Sequence, residues 1–245
     1  MDRAVYDRMA EIDGDHWWFA ARRRIIIRLI ETWRPKPGPL KILEVGCGTG
    51  SNLDLLKAFG TVDAIEPDDG ARALAAERSG IAVKGGYLPH GVPLEDGAYD
   101  LIVLFDVLEH IPEDVPALSY LTAKLAPGGR VLVTVPGAPW MWSEHDVAHH
   151  HQRRYTVAQL KTVFGQAGLK PRFTTHFNTL LFPVIAAVRL AGKLLGRKGG
   201  SDDSMPPKPV NAALTAIFGA ERHLVATVPA PFGVSIAMVA EPTIL

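Results

Sequence analysis

The sequence predicts an α/β fold: a parallel sheet covered by helices on both faces. Three observations predict it. Short apolar runs at Lys41–Val45, Thr61–Glu66, Ile81–Lys84, Tyr99–Phe105 and Arg130–Val135 have the length of buried strands. Segments of helical character alternate with them. A glycine-rich turn, Gly46 to Gly50, follows the first run directly. In such sheets ligands bind at the carboxyl ends of the strands, where this turn falls.

Each element has its own signal. A helix is predicted over Asp15–Arg34, from the cluster His16-Trp17-Trp18-Phe19 through Arg22-Arg23-Arg24, and Pro35 to Pro39 ends it. Ser51 is the expected N-cap of a helix that stops at Gly60. Further helices are predicted over Asp68–Ser79, over Glu113–Ala126 before Pro127-Gly128-Gly129, and over Thr156–Ala167 before Gly168. Pro171–Phe177 and Gly233–Ala240 read as the last strands. Gly196 to Pro209 mixes Gly, Ser, Asp, Lys and Pro and reads as disordered. The expected organisation is a single domain: an N-terminal helical lid over 1–39, a ligand-binding core over 40–178, a helical insertion over 179–232, and a last strand over 233–245.

Composition narrows the function. Lys+Arg and Asp+Glu are both 26, so formal net charge is zero, which argues against a dedicated nucleic-acid binder. One cysteine in 245 residues forbids an intrachain disulfide and makes a reducing compartment the default. Met1 to Glu11 carries no apolar run of the signal-peptide kind. No apolar stretch reaches the length of a membrane span. A cytoplasmic location is the expectation.

The glycine turn indicates the ligand class. A dinucleotide pyrophosphate wants G-x-G-x-x-G, whereas here the glycines are Gly46, Gly48 and Gly50. Glu44 stands two residues before the first glycine, a poor neighbour for phosphate and a good one for a cation. Glu66, at the end of the second strand, can bond ribose hydroxyls. The stretch Leu43-Glu44-Val45-Gly46-Cys47-Gly48-Thr49-Gly50 resembles the cofactor motif of class I S-adenosylmethionine-dependent methyltransferases. The resemblance continues through Ala64-Ile65-Glu66-Pro67, Tyr99 to Val103, Asp106 to Pro112 and Leu125 to Gly129, covering about Lys41 to Leu169. It implies a Rossmann-like seven-stranded sheet and the cofactor S-adenosyl-L-methionine. By resemblance, Gly46, Cys47, Gly48 and Gly50 wrap the methionine part, and Glu66 with Pro67 holds the ribose. Tyr87 and Leu88 lie by the adenine, Phe105 and Asp106 border the methionine moiety, and an arginine of the first helix, assigned to Arg23, meets the cofactor carboxylate.

Asp106, Glu109 and His110 stand at i, i+3 and i+4, one face of a helical turn. Three readings stay open. Two carboxylates and an imidazole can hold a divalent cation such as Mg2+ or Mn2+. Asp106 and Glu109 also have capping-box spacing. His110 or His151 can act as a general base. This segment resembles the ubiquinone-biosynthesis O-methyltransferases and the small-RNA 3′-terminal 2′-O-methyltransferases, whose motif binds a divalent cation. His151-Gln152-Arg153-Arg154-Tyr155-Thr156 resembles a later segment of the RNA enzymes and implies His151 as a fourth ligand.

Trp17, Trp18, Trp142, His150, Arg154 and Tyr155 are the candidate acceptor-site residues, Trp17 and Trp18 with Phe19 as a water-excluding lid and Arg154 as a clamp for an anionic group. Roughly 50 residues separate the last two strands, far beyond a hairpin. Within them 180–198 is apolar and basic, fit to cap the acceptor pocket or to lie peripherally on the inner face of a membrane. The expected activity is methyl transfer to a hydroxyl oxygen of a small or lipid-linked metabolite, with a metal. The alternatives are metal-independent N- or O-transfer by a histidine base, RNA-end 2′-O-methylation, and non-catalytic cofactor binding. The acceptor and the oligomeric state are left open.

Overall fold

The computed structural model describes residues 3–194 and 204–243. The chain opens with α1 (Arg3–Ile12), a helix that the sequence reading missed, and continues with α2 (Trp17–Trp33). The core follows: β1 (Leu40–Val45), α3 (Leu53–Lys57), β2 (Gly60–Ile65), α4 (Asp69–Ser79), β3 (Val83–Lys84), β4 (Tyr99–Phe105) and α5 (Asp114–Thr122). After β5 (Leu125–Pro136) come α6 (Glu144–Ala148), α7 (Val157–Gln166) and β6 (Leu169–Phe177). Two helices, α8 (Phe182–Leu194) and α9 (Lys208–Ala220), precede β7 (Ser235–Pro242).

The strands form one seven-stranded sheet in the order β3-β2-β1-β4-β5-β7-β6. The pairs among β1 to β5 are parallel, and β7 runs antiparallel to both of its neighbours. Strand order reverses between β1 and β4, so the glycine turn after β1 and Asp106 after β4 meet at the switch point, where ligands bind. One face of the sheet is covered by Leu118 and Leu121 of α5 and Leu160 and Phe164 of α7. The other is covered by Ile25, Ile26, Leu29 and Ile30 of α2 with Phe218 of α9. Fully burying each of these large side chains contributes about 1.5–3 kcal/mol, which anchors α2 and the lid it carries.

Local departures from the expected elements have physical causes. Ser51 does not cap α3; Asn52 stands at the cap, and its side chain donates to Glu44 Oε1 at 3.0 Å instead. The helix expected to reach Ala126 stops at Thr122, because Leu125 already pairs with Tyr99 in the sheet. Part of the stretch read as disordered is helical, since Lys208 and Pro209 open α9, where proline tolerates the first turn. Of the rest, 204–207 carry no regular structure and 196–203 lie outside the described residues. Asp68 and Thr156 cap α4 and α7 with their side chains.

Candidate active site

A cavity of about 570 Å3 runs along the carboxyl edge of the sheet, a size that holds a cofactor-sized ligand. One end is made by the loop after β1. Gly46 has φ +68, and a Cβ there would stand 2.7 Å from Val107 Cγ2, so only glycine lets the loop pass β4 this closely. Gly50 does not line the cavity; it allows α4 to approach, since a Cβ would meet Ala75 Cα at 3.0 Å. Cys47 and Gly48 line the cavity, and burial pushes the Cys47 thiol up, leaving it unreactive. Glu44 lies behind the loop rather than on the wall, 1% exposed, with Oε2 unpartnered. Burial pushes its pKa up to about 7, against the pull of Asn52 and Arg22.

Glu66 closes this end from β2. Its Oε2 accepts the Gly48 N–H at 2.8 Å, and its Oε1 accepts the Asp68 N–H at 3.0 Å and the Tyr6 hydroxyl at 3.1 Å. Burial raises the Glu66 pKa and these bonds oppose the rise. Tyr6 belongs to α1, which is held over the cavity through Asp13: its Oδ2 accepts from Arg78 Nη1 at 3.1 Å and from the Thr49 hydroxyl at 3.4 Å. Pro67, Tyr87, Leu88 and Phe105 also line the cavity.

At the other end, ligand atoms of Glu109, His110 and His151 lie within 4.8 Å of one another. Glu109 is fully buried and neither carboxylate oxygen has a hydrogen-bond partner. Burial, and then the charge of Asp106, raise its pKa well above the usual carboxylate range. His110 is pushed down to about 3, by burial first and then by His151 and His149. His151 Nδ1 lies 2.9 Å from Asp146 Oδ1, which also accepts from Arg154 Nε at 2.7 Å. Despite burial, these bonds hold Asp146 far below the usual range. A carboxylate only accepts, so in the neutral imidazole Nδ1 carries the proton and Nε2 presents the lone pair.

Comparison with known proteins fits this geometry. A family described as methyltransferase domain matches residues 16–172. The chain belongs to that family. A Mycolicibacterium smegmatis protein named a probable S-adenosylmethionine-dependent methyltransferase is 26% identical over 160 residues, covering 64% of this chain and 60% of that protein. The chain thus spans about three fifths of the length of that curated relative. Among solved structures, a chain from a complex that contains the Haloferax volcanii Trm112 methyltransferase activator superposes with TM-score 0.65 at 15% identity, covering 99% of this chain and 96% of that one. The geranyl diphosphate C-methyltransferase of Streptomyces coelicolor, solved with Mg2+ and S-adenosyl-L-homocysteine, gives TM-score 0.60 at 13% identity, covering 89% and 75%. The fold is that of class I S-adenosylmethionine-dependent methyltransferases.

Within this methyltransferase fold several residues sit elsewhere than expected. Asp106 has φ +57, so the i, i+3, i+4 spacing does not place it on one helical face with Glu109 and His110. It forms an ion pair with Arg22 and is not in the three-residue cluster; nor does it cap, since Val107 takes that position without a side-chain bond. Arg23 donates to the carbonyls of Asp13 and Gly14, at 2.7 and 3.0 Å, away from the cavity. Arg22, one position earlier, is the cavity-lining arginine, 4% exposed and stacked over Trp18 and Phe105 at 5.0 and 5.6 Å. Trp17, Trp18, His150 and Arg154 line the cavity, whereas Trp142 and Tyr155 do not. The Tyr155 hydroxyl donates to Asp114 Oδ2 at 2.8 Å and locks α5 to the loop after β5.

The cavity also holds residues the sequence reading did not single out. Asp146 could have been found from the capping-box spacing Ser143 to Asp146. Asn178 lines the cavity at 1% exposure, with φ +55 and neither amide atom partnered. Glu221 fixes the turn beside it by accepting the Leu180 N–H at 2.8 Å. Arg189 of α8 completes this wall and donates to the Met141 carbonyl at 2.9 Å.

Proposed function

We propose that this methyltransferase moves the methyl group of S-adenosylmethionine to a hydroxyl oxygen of a small or lipid-linked acceptor, with a divalent cation held by Glu109, His110 and His151. The observation that carries the reading is the convergence of those three side chains on the cavity that the glycine loop also lines, with both Glu109 oxygens unpartnered. Unpartnered buried oxygens are costly unless something occupies the site.

The cofactor end fits S-adenosylmethionine: the cradle admits no side chain at Gly46, and Glu66 faces the cavity where ribose hydroxyls are expected. S-Adenosylmethionine supplies a methyl group already activated on a sulfonium, so the protein contributes mostly proximity and orientation. Glu66 and the Gly48 backbone would hold the cofactor, and Arg22 takes the place that resemblance gave to Arg23. A cation at the three-residue cluster would acidify and orient an acceptor hydroxyl. Burial keeps His110 a neutral imidazole, and Asp146 presents the lone pair of His151. Arg22 neutralises Asp106, and Trp17 and Trp18 shield the site from water.

The Asp146–His151 pair favours a second reading, in which His151 takes the hydroxyl proton without a metal. Titration of the S-adenosylhomocysteine-bound protein with Mn2+, followed by electron paramagnetic resonance, separates the two. One saturable site per chain is expected, weakened at least tenfold in E109A and H151A with S-adenosylhomocysteine affinity unchanged. No saturable Mn2+ site in protein that binds S-adenosylhomocysteine would remove the metal and leave the His151 base.

A further inference from the structure

We infer that the two helices inserted before β7 dock this protein on an anionic bilayer surface. A helix on the surface of a water-exposed protein carries polar residues on its outer face. Here that face is apolar. Between Pro183 and Ala191 of α8 the exposed residues are Pro183, Val184, Ala187, Val188, Leu190 and Ala191, with no polar side chain among them. Val184 and Val188 are 63% and 66% exposed. After Lys208 and Pro209, the exposed residues of α9 are all valine, alanine or isoleucine, with Val210 at 49% and Ile217 at 42%. Leu224 and Phe232 are exposed as well, and Phe232 lies against Phe182 at the start of α8. Outward apolar helix faces of this kind mark an interaction site.

Charge selects the occupant. Arg189 turns inward to the cavity, but Lys193, Arg197 and Lys198 follow it in the sequence, and residues 182–200 contain no acidic residue. Lys208 opens α9, which contains no acidic residue either. Asp202 and Asp203, between the helices, are the acidic residues of 182–220. Basic residues next to apolar helices in the sequence match a surface of anionic headgroups over acyl chains. A second copy of this face would offer no acidic residue on either helix to meet the basic ones. Each helix has 13 residues, and among the described residues none is long and apolar enough to cross a membrane, so both lie along the surface.

The inner side of the same insertion walls the cavity through Ile185 and Arg189, beside Asn178. Docking therefore places the acceptor end at the headgroup level. Resting on the methyl-transfer reading, this makes an acceptor borne on a lipid headgroup the substrate class.

The test is co-sedimentation of the full chain with vesicles of phosphatidylcholine alone and with about 30% phosphatidylglycerol, at low and high salt. Binding is expected to the anionic vesicles, weakened at least tenfold in a Val184→Glu, Val188→Glu double variant and also at high salt. S-Adenosylhomocysteine affinity of that variant reports an intact fold; if it fails, V210E with I217E on the second helix gives the same readout. Absence of wild-type binding to anionic vesicles overturns the inference. So does a dimer that the double variant dissociates in a protein that ignores vesicles, which would assign the face to a second copy. No methyl transfer enters this readout, so its failure leaves the proposed chemistry standing.

Discussion

Glu44 offers a measurable link between the buried floor of the cofactor loop and stability. Its carboxyl is 1% exposed, has one hydrogen bond, from Asn52, and leaves Oε2 unpartnered. Burial lifts its pKa from 4.5 to about 7. Between those values the unfolded chain has lost a proton that the native protein keeps. Stability therefore falls as pH rises across this window and stays low above it. At about 1.4 kcal/mol per pKa unit the loss is ~3 kcal/mol. Glu44→Gln keeps the shape and cannot ionise. The assay is urea unfolding of ligand-free wild type and variant from pH 4.5 to 8. The two stabilities should be close at pH 4.5 and diverge in favour of the variant by ~3 kcal/mol near pH 8. A difference that does not change with pH would refute the reasoning, because it would mean that Glu44 ionises in the folded protein as easily as in the unfolded chain.

Further outcomes follow from the same contacts. Asp146→Asn strips a buried carboxylate from His151 and Arg154, and should cost about 3–5 kcal/mol, read as a fall in Tm of at least about 6 °C. The Asp146 pKa is depressed, so its contribution is present above its ordinary value of 3.8 and lost as pH falls below it, and the wild-type advantage should shrink in acid. Gly46→Ala should weaken S-adenosylhomocysteine binding measured by calorimetry, and Val107→Ala in the same chain should restore part of it, since the 2.7 Å contact is with the Val107 side chain. Asn178→Gly should keep the left-handed turn and Asn178→Ala should lose about 1 kcal/mol on it, while both raise the KM for the acceptor and spare cofactor affinity. Equal acceptor KM in wild type and Asn178→Gly would reduce Asn178 to a turn residue.

How much of this was legible in the sequence follows from the range of the forces involved. The strands, the glycine loop and the acids at the ends of β1 and β2 are set by local pattern and fell close to where the pattern placed them, except that β3 shortens to Val83–Lys84 and β5 begins as early as Leu125. The helix α1 has apolar residues at helical spacing, Val5, Met9 and Ile12, but so many charges around them that the signal is weak. The arginine run shows the limit of local reasoning. Three consecutive arginines look alike in sequence, and only the rotation of α2 on the sheet decides that Arg22 points in and Arg23 out. Asp106 fails for a different reason. The i, i+3, i+4 argument assumes helical backbone from its first residue, and Asp106 adopts φ +57 instead, which turns its carboxylate toward Arg22.

Asn178, at the start of the insertion, and the apolar outer faces of α8 and α9 within it illustrate opposite situations. A lone asparagine after a strand reads as a turn former, because asparagine tolerates the left-handed region. Only burial reveals that its amide has no partner. The helix faces, by contrast, are visible in sequence as apolar stretches, yet pattern alone cannot say which side of a thirteen-residue apolar helix is covered. The structure answers by spending Leu181 and Ala186 on the core and Ile185 and Arg189 on the cavity, which leaves Val184 and Val188 facing outward. An insertion that closes a cavity needs one apolar face; this one has two. The second face does nothing for the fold, so the two valines of α8 can be changed to glutamate with little loss of stability while removing whatever the outer surface binds.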